Sequence, residues 1–385
     1  MRIISTEGRA ALRSVRHVGR TFRIRIISAE AARLEHGVLG KWEELLQQSP
    51  GTTLMYQSPA YLNHLAKLRT DCAFLAVIEC DKGTVIGVVP LRKSPVLLKF
   101  DARQWRIAKA SFPGIRILGG TLLTPHAPEM FEALYREIAR FFPNCAAIEM
   151  SGLSTTSLLW NVLQTSPALK QDFAVYAPHG PRNCHTALVP ESFAEYLKQF
   201  GRKKSYNLKR QIRLLEAFGN GSLVLQRIDS VAGVEVFRNA WAALGGPASR
   251  DGDRELSDIE LMDFAERGLL LNYVLSVNGK PCALAVGTLF KDTLVQHSFR
   301  HDLEMSRLSP GTVLQTLMMK DLAEHRLVRR IDYGFGEPQY RLANLIDERV
   351  TAILIRKSAI NRLLIGSHRL FVRFLEAVKH RMCAS

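Results

Sequence analysis

The chain has 385 residues, of which 47% are hydrophobic and 23% are charged. This length suits two domains of ordinary size, and the apolar fraction is sufficient for a core in each, which argues against a disordered protein. No apolar run approaches the ~18 residues of a membrane-spanning helix, so we expect no membrane span.

The formal net charge of +16 is concentrated in three short segments. Residues 1–25 carry +6, residues 198–213 carry +7 and residues 356–385 carry +6, so the rest of the chain carries −3. This distribution argues against a uniformly basic nucleic-acid-coating surface and favours local attraction to an anionic partner. The six cysteines form no Cys-x-x-Cys pair, which predicts reduced thiols in a cytoplasmic protein and no metal site.

Hydrophobic periodicity predicts alternating helices and strands in the first half of the chain, including a hairpin that turns at Gly83. We expect the last of these strands to be buried and to run into a glycine loop. We expect helices at 35–49, 58–69 and 127–142, a hairpin over 72–93, and strands at 115–125 and 146–153.

The second half repeats this order, with tight turns at Asn278-Gly279 and Lys291-Asp292 between three long strands. We expect helices at 192–200, 205–219, 232–244 and 312–325, and strands at 222–228, 269–277, 281–290, 293–300 and 329–334.

In both halves, a hairpin, a strand and a helix lead to a buried strand that carries an acid, Glu149 in the first and Asp332 in the second. A duplicated α+β unit explains this order, and chance likeness of two domains is the alternative. The predicted fold class is α+β, with two tandem domains of mixed, mostly antiparallel sheet flanked by helices. The predicted division is a basic tail (1–25), a first domain (26–180), a second domain (181–355) and a basic C-terminal helix (356–385).

The segment before the helix at 312–325 has the chemistry of an anion-binding helix start. The N-terminus of a helix carries partial positive charge and free N–H groups, and Gly311 lets the backbone approach a ligand closely. Arg307 can pair with a phosphate or pyrophosphate there, and Ser309 or Thr312 can donate a hydrogen bond to it. A plain helix cap is the alternative.

The strand at 329–334 carries Asp332 near its end, and the loop that follows carries Glu337, Tyr340 and Arg341. Acids, a phenol and a guanidinium just beyond the end of a buried strand are typical of an active-site rim. The alternative is a glycine-rich loop in which Asp332 caps backbone N–H groups.

Together, "LSPGTVL" (308–314) and "IDYGFGEPQYR" (331–341) resemble the CelD-like, cellulose-biosynthesis-type branch of the GNAT acyltransferases, which is itself similar to the Fem-type aminoacyl transferases. "GVVPLRK" (87–93) is similar to the first-domain hairpin of that branch, and residues 196–219 to its linker helix. The resemblance spans about residues 40–355. The matching positions of the two motifs are Ser309, Pro310, Gly311, Leu314, Asp332, Gly334, Gly336 and Tyr340.

Two positions depart from the family pattern. Arg341 stands where the family has lysine, which keeps the charge and changes the shape. The usual GNAT pyrophosphate signature is not intact, because Arg307 is followed by Leu308-Ser309-Pro310-Gly311-Thr312.

The resemblance implies two GNAT-like domains, the first of them degenerate, and direct acyl transfer without a metal. The donor it implies is acyl-CoA, in the first instance acetyl-CoA, and the acceptor is an amine or hydroxyl of a cell-envelope or polysaccharide-related molecule. Backbone donors near residues 297–300 would hold the thioester carbonyl. The implied roles are proton acceptor for Asp332, Glu337 or His297, proton donor for Tyr340, and cofactor binding for Arg307, Ser309, Gly311 and Thr312. For His297, a structural role in the strand is the alternative.

The basic segment "GRKKSYNLKRQIR" (201–213) has helical periodicity. It places leucine and isoleucine on one face and Lys209, Arg210 and Arg213 on the other. We expect these three residues, with Arg341, to bind an anionic small-molecule or carrier-linked acceptor, and a solvated charged face is the alternative.

The C-terminal residues 356–381 form an amphipathic basic helix that either docks on the protein or lies on an anionic membrane surface, which would make a cytoplasmic protein peripheral to the membrane. Two further functions stay open. One is tRNA-dependent aminoacyl transfer of the Fem type, and the other is non-catalytic binding of nucleic acid or membrane. A nucleic-acid partner is not expected, because no nucleic-acid-binding fold is evident.

Overall fold

The computed structural model describes residues 14–17, 20–49, 51, 54–69, 71–102, 105–245, 256–335 and 345–383. Contacts divide these residues into two compact units. The first contains the residues up to Arg182 and from Glu348 onward, and the second contains those between Asn183 and Asp347.

The end of the chain therefore belongs to the first unit, which differs from the expected division. The sequence assigned residues 348–355 to the second domain and residues 356–385 to a separate helix. The physical reason for the difference is burial, because Val350, Ala352 and Leu354 lie in the hydrophobic core of the first unit.

The first unit adds elements that the sequence did not reveal, notably a hairpin after the fourth strand. Residues 20–25 were assigned to a basic tail (1–25) but belong to a strand, because Phe22, Ile24 and Ile26 are buried in the core. In chain order the elements of this unit are β1 (Ser14–His17), β2 (Arg20–Ser28), α1 (Ala29–Leu34), α2 (His36–Gln48), a 3-10 turn (Leu54–Gln57), α3 (Pro59–Leu68), β3 (Ala73–Cys80), β4 (Val85–Lys93), β5 (Val96–Ala102), β6 (Trp105–Phe112), β7 (Gly114–Ile117), α4 (Pro128–Phe141), β8 (Ala147–Ser154), α5 (Leu158–Thr165), α6 (Pro167–Asp172) and β9 (Phe173–Tyr176).

The second unit begins with a strand and two helices that precede the repeated order. Its elements are β10 (Arg182–Leu188), α7 (Phe193–Lys198), α8 (Arg202–Phe218), β11 (Leu223–Ile228), α9 (Val231–Ala243), α10 (Asp258–Glu266), β12 (Asn272–Val277), β13 (Lys280–Phe290), β14 (Thr293–His301), a 3-10 turn (Ser306–Leu308), α11 (Pro310–Glu324) and β15 (Arg330–Phe335). The chain ends with β16 (Leu345–Arg356) and α12 (Ala359–Cys383).

In the first unit the strand order is β1-β2-β3-β4-β7-β8-β16, and β9 also pairs with β16. In the second unit it is β10-β15-β14-β13-β12-β11. Each sheet is antiparallel except for one parallel pair, β7 with β8 and β14 with β15. A helix, α4 or α11, connects the two parallel strands, as a crossover between parallel strands requires. This arrangement confirms the α+β prediction.

Helix α8 shows how the sequence pattern positions charge in the second unit. Leu208 and Leu215 are buried in the cluster that α8 shares with α11 and the sheet, whereas Lys209, Arg210 and Arg213 are exposed. The helix begins after Gly201 and ends at Gly219. The predicted amphipathic helix is confirmed, with its start three residues earlier than expected.

Candidate active site

Strands β14 and β15 separate after a short parallel ladder. The ladder contains three register pairs and ends at Val295 with Asp332. From there β14 continues alongside β13 to His301, and β15 continues alongside β10 to Phe335. In the described part of the sheet, the far half of β14 therefore has no ladder partner on its β15 side, so a wedge-shaped opening lies between the strands.

A β-bulge shapes the β14 side of this opening. Val286 pairs with Ser298 and Gly287 pairs with Gln296, so His297 is the extra residue of the bulge. Nε2 of His297 lies 2.8 Å from Oγ1 of Thr288, two residues beyond Val286 on the same strand. Since residues i and i+2 of a strand share a face, the bulge turns both His297 and Ser298 to one face of the sheet.

This face carries an unusual number of buried polar side chains. Each of these side chains is at most 9% exposed. Two of their atoms, Ser298 Oγ and Asn272 Nδ2, have no hydrogen-bond partner among the described residues. Because nearly all buried polar groups in proteins are paired, such exceptions are expected where a ligand binds. The members on this face are Asn272, Thr288, His297, Ser298 and Asp332.

Sequence reasoning missed Asn272, Thr288 and Ser298. A β-bulge has no reliable sequence pattern, so the strand register that brings these residues together could not be predicted. One signal was present, because Gln296, His297 and Ser298 are three consecutive polar residues in the middle of a central strand.

Asp332 is 1% exposed, and its Oδ1 accepts a hydrogen bond from the Gly334 N–H at 2.7 Å. Gly334 has a φ of 67°, a conformation that favours glycine. The carboxylate therefore caps a backbone N–H within β15, which agrees with the alternative interpretation of Asp332. A role for Asp332 as proton acceptor stays a prediction. Glu337, Tyr340 and Arg341 lie outside the described residues, so their assignments also stay predictions.

Helix α11 begins at Pro310, two residues earlier than expected, after Ser309 in the left-handed region with a φ of 53°. Proline has no N–H to donate, and the first intrahelical bond runs from the Val313 N–H to the Ser309 carbonyl. The N–H groups of Gly311 and Thr312 are thus the first donors at this helix end. Arg307 is exposed just before it.

Gly311 also has a packing role that the sequence did not indicate. A Cβ atom at this position would lie 3.0 Å from the Phe299 ring and 3.4 Å from Nδ1 of His301. Glycine thus lets the N-terminus of α11 sit directly against the far half of β14. This contact places the helix end beside the opening.

Helix α8 packs against α11 and against the turn Ser306–Leu308, so α8 lies beside the same helix end and exposes Lys209, Arg210 and Arg213. The side chain of Arg213 lies 5.9 Å from the ring of Tyr206, which is itself exposed. Positive side chains of α8, Arg307 and the helix dipole therefore act in one region, which favours an anionic ligand.

The face with the buried polar side chains, opposite α8 and α11, also carries a cavity of about 370 Å³, within the usual size of small-ligand sites. Val286, its wall residue on β13, pairs with Ser298, and Arg300 of β14 lies 3.6 Å from the ring centre of Trp241. The cavity is therefore next to the far half of β14. Its lining residues are Phe237, Arg238, Trp241, Leu256, Ser257, Asp258, Leu261 and Val286.

The first unit closes the corresponding position. Its parallel ladder contains the pair Arg116 with Glu149 and extends one pair further, and the two side chains form an ion pair at 3.2 Å. Burial raises the pKa of Glu149, and Arg116 opposes this rise. Leu118 and Thr121 lie in the loop after β7, and their carbonyls accept hydrogen bonds from Nε2 of Gln57. Side chains of the unit itself therefore occupy the space that is open between β14 and β15.

Comparisons with known proteins give a family match to part of the chain and similar folds. Residues 202–342 match the family "Acetyltransferase (GNAT) domain". A crystal structure of FemX is similar with a TM-score of 0.57 and 12% identity, covering 86% of this chain and 99% of that chain. At this identity the likeness shows the fold alone. The sequence matches no curated protein significantly.

Two further solved structures have lower TM-scores. The C-terminal domain of a putative lysylphosphatidylglycerol synthetase from Agrobacterium fabrum has a TM-score of 0.46 and 11% identity, covering 86% of this chain and 95% of that chain. A tandem GNAT protein from the clavulanic acid biosynthesis pathway has a TM-score of 0.47 and 13% identity, covering 87% and 98%. The family match therefore falls within the second unit, and the likeness to FemX is a likeness of fold.

Proposed function

We propose that the second unit transfers an acyl group, in the first instance acetyl, directly from acyl-CoA to an amine or hydroxyl of a cell-envelope or polysaccharide-related acceptor. The observation that carries this proposal is the opening beyond Val295 and Asp332. The N-terminus of α11 lies on one side of it and an apolar cavity on the other.

The residues near α11 fit an acyl-CoA donor. Its pyrophosphate needs positive charge and N–H donors, which Arg307, Gly311 and Thr312 offer, and Ser309 stands at the same turn. Bound acyl-CoA would supply a thioester whose carbonyl is open to attack by an amine or hydroxyl. In the described residues, no group of three or more His, Cys, Asp or Glu side chains could hold a metal ion.

The chain itself contributes orientation, polarisation and proton transfer. N–H groups of the far half of β14 are the donors available to a carbonyl oxygen in the opening, where fixed donors stabilise developing charge. Asp332 and His297 share the face of this opening and are its described candidates for accepting the proton of the acceptor. No covalent nucleophile is required, because both reactants lie side by side.

The position of α8 favours the donor, in place of the acceptor expected from the sequence, as the ligand of its basic face. Because α8 packs on α11 and the turn before it, Lys209, Arg210 and Arg213 belong to the region that suits the donor. The cavity near Trp241, on the other face, suits the acceptor. We therefore assign the α8 charges to the donor's phosphates in preference to the acceptor.

The same observation favours a second candidate, aminoacyl transfer from aminoacyl-tRNA, as the Fem-type resemblance implies. A basic helix with an exposed aromatic residue, Tyr206, would suit an RNA donor as well as a nucleotide. The likeness to FemX supports a shared fold and does not distinguish the donors.

The test uses the full-length protein with amino-sugar nucleotides as acceptors. In one arm, release of free thiol is followed with acetyl-, succinyl- and longer acyl-CoA. In the other, transfer of a labelled amino acid from bulk aminoacyl-tRNA is followed. Acceptor-dependent thiol release that Asp332→Asn or His297→Gln abolishes would support the proposal. Amino acid transfer without thiol release would replace it with the second candidate.

A further inference from the structure

Helix α12 has one face fixed on the first unit. Ile365 and His368 are buried, and Nε2 of His368 donates to the Lys99 carbonyl at 2.9 Å. On the other side of the ring, Nδ1 lies 2.5 Å from the Tyr176 hydroxyl. The docked arrangement considered from the sequence is thus present, and these contacts hold the helix against β5 and β9.

A second face of α12 is apolar and exposed, which docking does not explain. Four of its large side chains are 65–71% exposed and the fifth is 38% exposed. At 100° per residue they fall within an arc of about 80°, and at 1.5 Å per residue they extend over about 27 Å. We call this set the α12 stripe: Ile360, Leu363, Leu370, Phe374 and Val378.

The third face of α12 is basic. Arg362, Arg369 and Arg373 are exposed and lie within an arc of about 40°, roughly 120° away from the α12 stripe. The guanidinium of Arg369 lies 5.3 Å from the ring centre of Tyr176. Glu376 is the one acid in the sequence of this helix. An apolar stripe beside a row of arginines matches the profile of an interfacial helix, with apolar side chains among acyl chains and arginines at anionic headgroups.

We propose that α12 binds the first unit to the surface of an anionic lipid bilayer. The α12 stripe enters the interface and the arginines contact lipid phosphates, while the face with Ile365 and His368 stays on the protein. Among the described helices, none is both long and apolar enough to cross a membrane, so the contact is made with one leaflet. Charge selects this occupant, because a row of arginines complements a negative surface and would repel the same row on a second copy.

The experiment is co-sedimentation of the full-length protein with vesicles of phosphatidylcholine alone or with one quarter phosphatidylglycerol. We expect sedimentation with the anionic vesicles only, and weaker binding in high salt because the charges are screened. Leu370→Ser with Phe374→Ser should weaken binding at least tenfold, since apolar burial is lost. Arg362→Gln with Arg373→Gln should weaken it about fivefold for each arginine.

The matched control is Leu34→Ser with Ile259→Ser, which removes two similarly exposed apolar side chains outside α12. It should bind as the unmodified protein does. Circular dichroism and the thermal transition of each variant show that it is folded. Equal binding by the α12 and control variants would overturn the proposal, as would no binding to anionic vesicles. A dimer in light scattering that the Leu370 and Phe374 variant dissociates, without vesicle binding, would assign the α12 stripe to a second copy instead.

Discussion

Val295 and Asp332 form the last register pair of the parallel ladder between β14 and β15. In the first unit, Arg116 and Glu149 form the corresponding ladder pair, and one further pair, Ile117 with Met150, follows. An acid therefore stands at or next to the last pair of the parallel ladder in both units. The opening forms where the parallel ladder of the second unit ends, and the ladder of the first unit continues one pair further. We therefore assign the chemistry to the second unit.

Replacing the two acids separately tests this assignment. Asp332→Asn keeps the oxygen that accepts from the Gly334 N–H and removes the ability to take a proton. We expect kcat to fall at least about 100-fold, the lower range for loss of a general base, with the free energy of unfolding changed by about 1 kcal/mol or less. Glu149→Gln is the matched control and should leave turnover unchanged. Full activity of Asp332→Asn would exclude it as the base.

Ser298→Ala should separate stability from activity. The Ser298 Oγ is buried without a partner among the described residues, so its removal should leave the free energy of unfolding unchanged or raise it by up to about 1 kcal/mol. If the hydroxyl meets a ligand in the opening, kcat/KM should fall about tenfold, the worth of one hydrogen bond. Ser94→Ala removes another buried, unpartnered hydroxyl in the first unit and should leave kcat/KM unchanged. Equal kinetics for both variants would remove Ser298 from the site.

Charge reversal on α8 tests its place beside the donor. Lys209→Glu, Arg210→Glu and Arg213→Glu together should raise the KM of the donor at least tenfold and leave the KM of the acceptor nearly unchanged. All three side chains are exposed, so the thermal transition should stay within a few degrees of its original value.

The control for α8 changes the same net charge elsewhere, at Arg33, Lys82 and Lys170 of the first unit. It should leave both KM values as they are. A rise in acceptor KM alone would return the α8 charges to the acceptor, as the sequence first suggested. No change in either value would leave them as a solvated face.

The docking of α12 should weaken in acid. Burial lowers the pKa of His368 below its ordinary value of 6.5, with Lys99 and Asp101 opposing this shift. The unfolded chain therefore takes up a proton at a higher pH than the folded chain does, and stability falls as the pH drops below about 6.5. Thermal unfolding between pH 7.5 and 5 should show a smaller loss for His368→Gln. An identical pH dependence would mean that other groups control it.

Much of the fold could be predicted because periodicity marks amphipathic elements directly. The spacing of Leu208 and Leu215, with basic residues between them, was sufficient to predict α8 from the sequence alone. The hairpin of β5 and β6 was missed, although Val96 and Leu98 alternate with exposed or partly exposed neighbours and are buried on one face. That hairpin packs on the sheet of the first unit, a tertiary contact that local patterning does not reveal.

The site was predictable only in part, for a related reason. Asp332 was placed at a strand end because the glycine motif lies in the sequence itself. Ser298 and Thr288 come together only through the bulge at His297, and the cavity beside Trp241 requires α9, α10 and β13 to pack together. Such features follow from register and packing, which a single sequence does not specify.

Acetyl-CoA binding tests the central claim most directly, through the thermal transition of the full-length protein with 1 mM ligand. A dissociation constant near 10 µM would add about 2.7 kcal/mol to the stability of the second unit and raise its transition by about 5–10 °C. Arg307→Glu should lose most of this shift. A transition that moves with neither acetyl-CoA nor longer acyl-CoA would contradict an acyl-CoA donor at the opening beside Val295 and Asp332.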